Sequence, residues 1–156
     1  MEPISRPDHL EEPKLELEII AWGSPQYEEA LLLRDRVLRR PLGMDIMNDD
    51  LQGEREDLHF TARLEGRVAG VLLLRRSDPH TLQMKQVAVD EAARGRNIGR
   101  ALVEYAEAAA VSRGCREITL HARQSAVPFY EKLGYSVTGE PFTEIGLPHR
   151  HMTKRL

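Results

Sequence analysis

The sequence predicts an α/β protein built on a mixed β-sheet with helices on its faces. Three observations carry this. Apolar residues alternate with polar ones in several short runs, the period of half-buried strands, and elsewhere recur every three or four positions, the period of helices. These segments follow one another as β-α-β-β-β-α-β-α-β-β, which is neither strict βαβ alternation nor all-β. With 156 residues, 41% apolar and 30% charged, the chain suits one domain with its own core.

Each element has a local cause. Residues 1–14 hold three prolines and many charges and are expected to form a loose, flexible tail before a domain spanning 15–156. Residues 15–22 open with apolar/polar alternation and read as a strand. Ser24-Pro25 places a capping side chain before a proline suited to the first helical position, so a helix is expected from Tyr27 to about Leu38. It carries Leu31, Leu32 and the charges of Arg34, Asp35 and Arg36, and ends before Pro41. Residues 41–57 lack periodicity and hold six acids against one arginine, Arg55. A long loop of this kind is either a flexible acidic surface or a cover for a cationic acceptor bound by Asp49, Asp50 and Glu54.

Leu58–Leu64 and Val68–Leu74 flank Glu65-Gly66 as a hairpin, and Leu82–Val89 follows the turn at Asp78-Pro79-His80. A helix follows, in which Ile98, Leu102, Tyr105, Ala106 and Ala109 share a face and Gly114 ends the pattern. Ile118–His121 is a short strand, Ser125–Leu133 a helix stopped by Gly134, and Tyr135–Val137 and His149–Lys154 the last strands.

Charge and cysteine content exclude several functions. The net charge of −3 argues against a nucleic-acid binder, which needs clustered Lys and Arg. The lone Cys115 rules out an intramolecular disulfide and a cysteine-based zinc site, and is expected to be a small buried residue. No apolar run reaches the ~18 residues that span a bilayer, and the first residues show no apolar signal core. A soluble, cytoplasmic protein with no membrane or nucleic-acid partner is expected. The charge is uneven: residues 1–90 sum to −6 and residues 91–156 to +3.

That positive excess gathers where a strand runs through a tight loop into a helix. Gly95 and Gly99 let backbone approach a ligand, Asn97 tolerates the left-handed region, and Arg94, Arg96 and Arg100 supply cations beside the free amides of a helix start. The combination suits a phosphate or pyrophosphate; the plainer alternative is a tight turn with arginines exposed for solubility. There is no G-x-x-x-x-G-K-[ST] and no G-x-G-x-x-G, so neither a Walker-type nor a Rossmann site is expected.

Arg94-Gly95-Arg96-Asn97-Ile98-Gly99 resembles the R/Q-x-x-G-x-G/A loop of the GNAT N-acetyltransferase superfamily, with Asn97 at the first glycine. Ala122 to Tyr135, with Phe129-Tyr130 on a helix and Gly134-Tyr135 entering a strand, resembles that superfamily's next motif. Gly139 to Met152 is similar to the G-E-x-F-x-E-x-G-I-P-H-x-x-M ending of one small bacterial subgroup. The resemblance covers about residues 15–156 and is strongest over 82–156.

It implies the acyl-CoA N-acyltransferase fold, with two central strands splayed around acetyl-CoA as cosubstrate; no metal is expected, since His149-x-His151 has no acidic or cysteine partner close in sequence. Carried over, the backbone at Val87, Ala88 and Val89 would pair with the pantetheine arm. The amides of Arg94, Gly95, Arg96, Asn97, Ile98, Gly99 and Arg100 would hold the pyrophosphate, and Ser125 and Phe129 would flank the arm. Tyr130 would protonate the departing thiolate. An alkylamine with a pKa near ~10 must lose a proton before it attacks. His149 and Glu144 are the leading bases, His121 a weaker one, and Lys85 and Gln86 could orient an acceptor.

The function implied is acetyl transfer from acetyl-CoA to a primary amine of a small molecule. Acetylation of a protein N-terminus or lysine, and acyl-CoA binding without turnover, are the alternatives. A homodimer stays open as an assembly state.

Overall fold

The computed structural model describes residues 14–156, so the expected tail lies, apart from Lys14, outside the described residues. The elements follow the expected order: β1 (Leu15–Ile20), α1 (Pro25–Arg34), β2 (Leu58–Leu64), β3 (Arg67–Asp78), β4 (Thr81–Val89), α2 (Ile98–Ser112), β5 (Glu117–Arg123), α3 (Val127–Lys132), β6 (Ser136–Glu144) and β7 (Leu147–Arg155). The seven strands form one sheet in the order β1-β2-β3-β4-β5-β7-β6, and no described helix is long and apolar enough to cross a membrane.

Every neighbouring pair is antiparallel except β4 and β5. Their parallel pairing runs from Thr81↔Glu117 to Met84↔Leu120 and stops there, although β4 continues to Val89 and β5 to Arg123. Beyond that point β4 stays with β3 up to Gly70↔Val89, and β5 stays with β7 up to Arg123↔His149. The register of β3 against β4 shifts between Val71 and Leu73, and Gln86 sits there in the left-handed region at φ 58°. This is a β-bulge, which bends its strand and adds local twist.

Helices cover both faces. Successive strand residues point to opposite sides, so Val71 and Ala88 pack with Ala30 and Leu33 of α1, while Leu72 and Leu74 pack on the α2 side. There Leu102, Val103, Ala106 and Ala110 are fully buried with Ile118, Leu120 and Met152. Cys115 is a buried member of this core.

The end of α1 differs from the sequence expectation. Ser24 caps the helix as expected, its Oγ accepting from the Tyr27 amide at 3.1 Å. After Arg34, however, the chain makes a π turn (Asp35–Arg39) instead of a regular helix to Leu38. Leu32 points to solvent, whereas Arg34 and Asp35 are only 2% and 8% exposed. The charges face inward because the loop below supplies their partners. Arg34 donates two hydrogen bonds to Glu54, at 2.8 and 2.6 Å, and the Tyr27 hydroxyl donates a third at 2.7 Å. Asp35 accepts from the Ile46 amide and from Arg40.

These contacts correct the expectation that the acidic loop receives a cationic acceptor. Glu54 is buried on Arg34, Asp49 is held by Arg39, Asp57 by Arg75, and Asp50 accepts from the Gly53 amide. Asp49, Glu54 and Asp57 anchor the loop to the body of the protein, and Asp50 braces a turn within it.

Burial pushes the Glu54 carboxyl up, but the hydrogen bonds and charge of Arg34, followed by Tyr27 and His59, hold it below its usual value. A carboxyl depressed in the folded state contributes stability above its unfolded pKa of ~4.3 and loses it as pH falls through the folded value. Glu54→Gln leaves buried Arg34 with only Asp49, at 4.0 Å and shared with Arg39, as counter-charge and should cost about 3 kcal/mol at neutral pH. The gap from the parent should shrink below about pH 4. Denaturant unfolding between pH 3 and 7 checks this, and a gap that stays constant with pH would refute it.

Candidate active site

The divergence of β4 and β5 opens a cleft of about 620 Å³. Its walls are β4 from Met84 to Val89, the end of β5, the loop leading into α2, Phe129 and Tyr130 of α3, and the β6–β7 hairpin. The π turn adds Val37, Leu38 and Arg39. Past Leu120 the facing edges of β4 and β5 no longer pair with each other, leaving backbone groups open to a ligand.

One end of the cleft is a cationic cradle. Asp90 caps a short turn at Glu91–Ala93 through the Ala92 amide, and the chain then passes Arg94 in extended conformation and Gly95 at φ 84°. Asn97 caps α2 at φ 60°, as its tolerance of the left-handed region suggested. The first amides of α2 have no carbonyl one turn back to receive them, and the helix dipole adds positive charge there.

Arg94, Gly95, Asn97, Gly99 and Arg100 line the cleft, while Arg96 does not. Gly99 is closely packed: a Cβ there would lie 3.2 Å from Phe129 Cζ and 3.4 Å from Val89 Cγ2, so a larger residue would press on both side chains. The close contact holds the cradle against both the strand and α3.

Val87, Ala88, Val89 and Ile98 also line the cleft, with Phe129 across from them. Ser125 is exposed in a short turn at Gln124–Ala126 and is not among the lining residues. The separation arises because the expected single helix from Ser125 is broken: α3 begins at Val127, with Pro128 in its first turn.

Tyr130 lines the middle of the cleft. It is 7% exposed and packs edge-on against Phe129 and Tyr135, with ring centroids at 5.0 and 5.8 Å. Burial raises its pKa well above the ordinary phenol value, so it remains protonated through the physiological range.

At the other end the β6–β7 hairpin brings in Glu144 and His149. His149 is 3% exposed, and its Nδ1 lies 2.9 Å from the Leu147 carbonyl. A carbonyl can only accept, so Nδ1 carries a proton, and Nε2 lies 3.9 Å from Glu144 Oε2. His121 Nδ1 lies 2.9 Å from Glu144 Oε1. One carboxylate therefore stands between two imidazoles.

The sequence made His121 the weaker base candidate, on a strand that could reach the cleft; the antiparallel β5–β7–β6 ladder brings it to Glu144, 23 residues away. Arg39 and Arg123 are further lining residues that motif reasoning missed. Their signal was weak: Arg39 is one of four arginines between residues 34 and 40, and Arg123 sits in a motif read for its aromatic residues.

A sheet splayed around a cleft with an anion cradle at a helix start defines the acyl-CoA N-acyltransferase fold. The chain belongs to the GNAT acetyltransferases: the model of the acetyltransferase (GNAT) domain matches residues 35–156. It is 27% identical over 137 residues to the uncharacterised N-acetyltransferase YjcF of Bacillus subtilis, covering 87% of this chain and 97% of that protein. The match to the uncharacterised protein YyaT of the same organism is 31% identical and spans about half of each chain, 49% of this one and 52% of that one.

A protein from Lactobacillus plantarum shares the fold with a TM-score of 0.82 at 26% identity, over 91% of this chain and 98% of that one. A GNAT acetyltransferase from Elizabethkingia anophelis, crystallised with acetyl-CoA bound, aligns with a TM-score of 0.68 at 19% identity, over 91% and 98% of the two chains.

The cradle geometry sets a backbone requirement at position 97. Asn97→Ala should destabilise the protein by about 1 kcal/mol, because a left-handed residue with a Cβ and no local polar side chain is strained. Asn97→Gly should be close to neutral. Equilibrium unfolding of the two variants checks the order, and equal losses would sink the argument.

Proposed function

We propose that the protein is an N-acetyltransferase that moves the acetyl group of acetyl-CoA to a primary amine on a small molecule. One observation carries this reading: an anion cradle, a phenol and a carboxylate–imidazole cluster all face the same cleft along the unpaired edge of β4. The cleft's volume suits a ligand of cofactor size. Enclosure by the π turn and the β6–β7 hairpin favours a small acceptor over a protein chain.

The residues present fit acetyl-CoA. The first amides of α2, with Arg94 and Arg100, would hold its pyrophosphate, and the open backbone of Val87 to Val89 would meet the amides of its arm. Acetyl-CoA supplies an activated thioester carbonyl. The backbone N–H of Val87, beside the bulge, is the proposed donor to that carbonyl oxygen as charge grows on it.

His149 Nε2, with Glu144 beside it, takes a proton from the ammonium, directly or through water, and frees the lone pair that attacks. As the new C–N bond forms the C–S bond breaks, Tyr130 donates a proton to the sulfur, and the second proton leaving the attacking nitrogen returns to the phenolate through water. A thiolate whose conjugate acid has a pKa near ~8.5 can wait for that proton, so Tyr130 speeds departure without being the sole route.

Tyr130→Phe keeps the packing against Phe129 and Tyr135 and removes the donor. It should lower kcat about 10²-fold, at the lower end for a general acid, with CoA affinity retained. Thiol release from acetyl-CoA across a panel of amines, with CoA affinity measured by calorimetry, provides the test. Tight CoA binding with no turnover on any amine would overturn this reading in favour of an acyl-CoA-binding module.

A further inference from the structure

The acceptor half of the cleft has a charge pattern that acetyl transfer by itself does not require. Arg39, Lys85 and Arg123 line it, and Glu144 is the one carboxylate among the lining residues. Glu144 is already engaged by His121.

Arg39 is answered by Asp49, to which it donates at 3.0 and 2.8 Å. Arg123 is different. Among the described residues no carboxylate lies within the 4.0 Å of an ion pair from its guanidinium, and its contact with the Leu38 carbonyl is long, at 3.4 Å. Lys85 likewise has no acidic partner among the described residues. Burial, and after it the like charge of Arg39, push the Arg123 pKa below the ordinary guanidinium value. A charge kept where its surroundings penalise it is stabilised when an anion binds beside it.

The origin of this cation is local. β5 runs three residues past its last pairing with β4, at Met84↔Leu120, and stays with β7 to Arg123↔His149, so Arg123 sits at the strand end beside Leu38 of the π turn. The cradle at the start of α2 is built from different elements and serves a different group.

We propose that the acceptor is a primary amine that also carries a carboxylate or a phosphate, and that Arg123, with Lys85, binds this anion while the amine lies toward Glu144 and His149. The amine half of this statement rests on the acetyltransferase reading; the anion half does not. It reverses the expectation of a cationic acceptor drawn from the acidic loop, whose carboxylates are used within the protein.

The test uses the full chain and matched amines: β-alanine and O-phosphoethanolamine against ethanolamine and putrescine. Thiol release gives kcat/KM, and calorimetric titration into the CoA-saturated protein gives binding without turnover. An anionic amine should be preferred at least about tenfold, through KM, and the carboxylate and phosphate probes decide which anion fits. Arg123→Gln should bring the ratio of anionic to neutral amine toward one, and Arg123→Lys should keep most of it. CoA affinity and the thermal midpoint of each variant establish that it is folded.

Equal or better use of ethanolamine or putrescine, or a preference that survives Arg123→Gln, would overturn the proposal while leaving acetyl transfer intact. Binding of an anionic amine that is lost in Arg123→Gln, without turnover on any amine, would support the anion site and refute acetyl transfer. Anionic amines that neither bind nor react would refute the proposal outright.

Discussion

The parallel pairing of β4 and β5 stops at Met84 and Leu120, and the rest of the molecule is arranged around that stop. Each strand keeps its outer neighbour past the divergence, β4 with β3 and β5 with β7, so only the two inner edges go unpaired. Left inside a core, each orphaned backbone group would cost about 1–3 kcal/mol. Opening onto a cleft lets water or a ligand satisfy them instead. The bulge at Gln86 sustains the divergence, because a left-handed residue there bends β4 away from the straight path that would keep it paired. The sheet is thereby suited to receive an extended ligand with amide groups of its own, on the logic by which strand edges capture peptides.

The buried ion pairs under α1 keep this opening in shape. Arg34 with Glu54 and Asp49 with Arg39 tie the loop after α1 to the end of α1 and the π turn. That turn is what carries Val37, Leu38 and Arg39 to the cleft. Ion pairs out of water contribute little net stability compared with apolar packing of the same shape, but they penalise any arrangement that separates them. Their value here lies in fixing one position for an irregular segment that regular hydrogen bonding cannot fix.

Much of the fold was legible in the sequence, because strand and helix periodicity, the Ser24-Pro25 cap, and the Glu65-Gly66 turn are local signals. The cradle was legible for the same reason: glycine, asparagine and arginine over seven residues state their backbone needs directly. What periodicity could not give is partnership between distant segments. Arg34, Asp35 and Arg36 look alike in the sequence, yet the first two are buried and the third is not, because Glu54 and Ile46 lie under one side of the helix. The acidic loop misled for the same reason, since a carboxylate's partner is invisible until the chain folds back. The length of β6 was hidden by Gly139 and Pro141, which sit where its register against β7 shifts. His121 gained its contact with Glu144 through two ladders that no spacing rule encodes.

The distribution of charge along the cleft bears on the chemistry as well as on recognition. An amine that attacks a thioester must first be neutral, and in water its conjugate acid holds its proton up to pH ~10. Cations nearby disfavour a further positive charge and lower that pKa, whereas a ring of carboxylates would raise it. In the proposed reaction a cationic acceptor pocket works in the same direction as the imidazole proposed to remove the proton. Arg39 is already neutralised by Asp49, so the effect falls mainly to Arg123 and Lys85. An anionic group on the acceptor would offset part of their charge while remaining fixed at the strand end, away from the reacting nitrogen. Glu144, held by His121 on one side, can then stabilise the imidazolium that forms on His149 without being drawn into an ion pair with the incoming amine. The cleft thus separates two tasks that a purely acidic pocket would set against each other: holding a charged acceptor, and taking away the charge on its nucleophile.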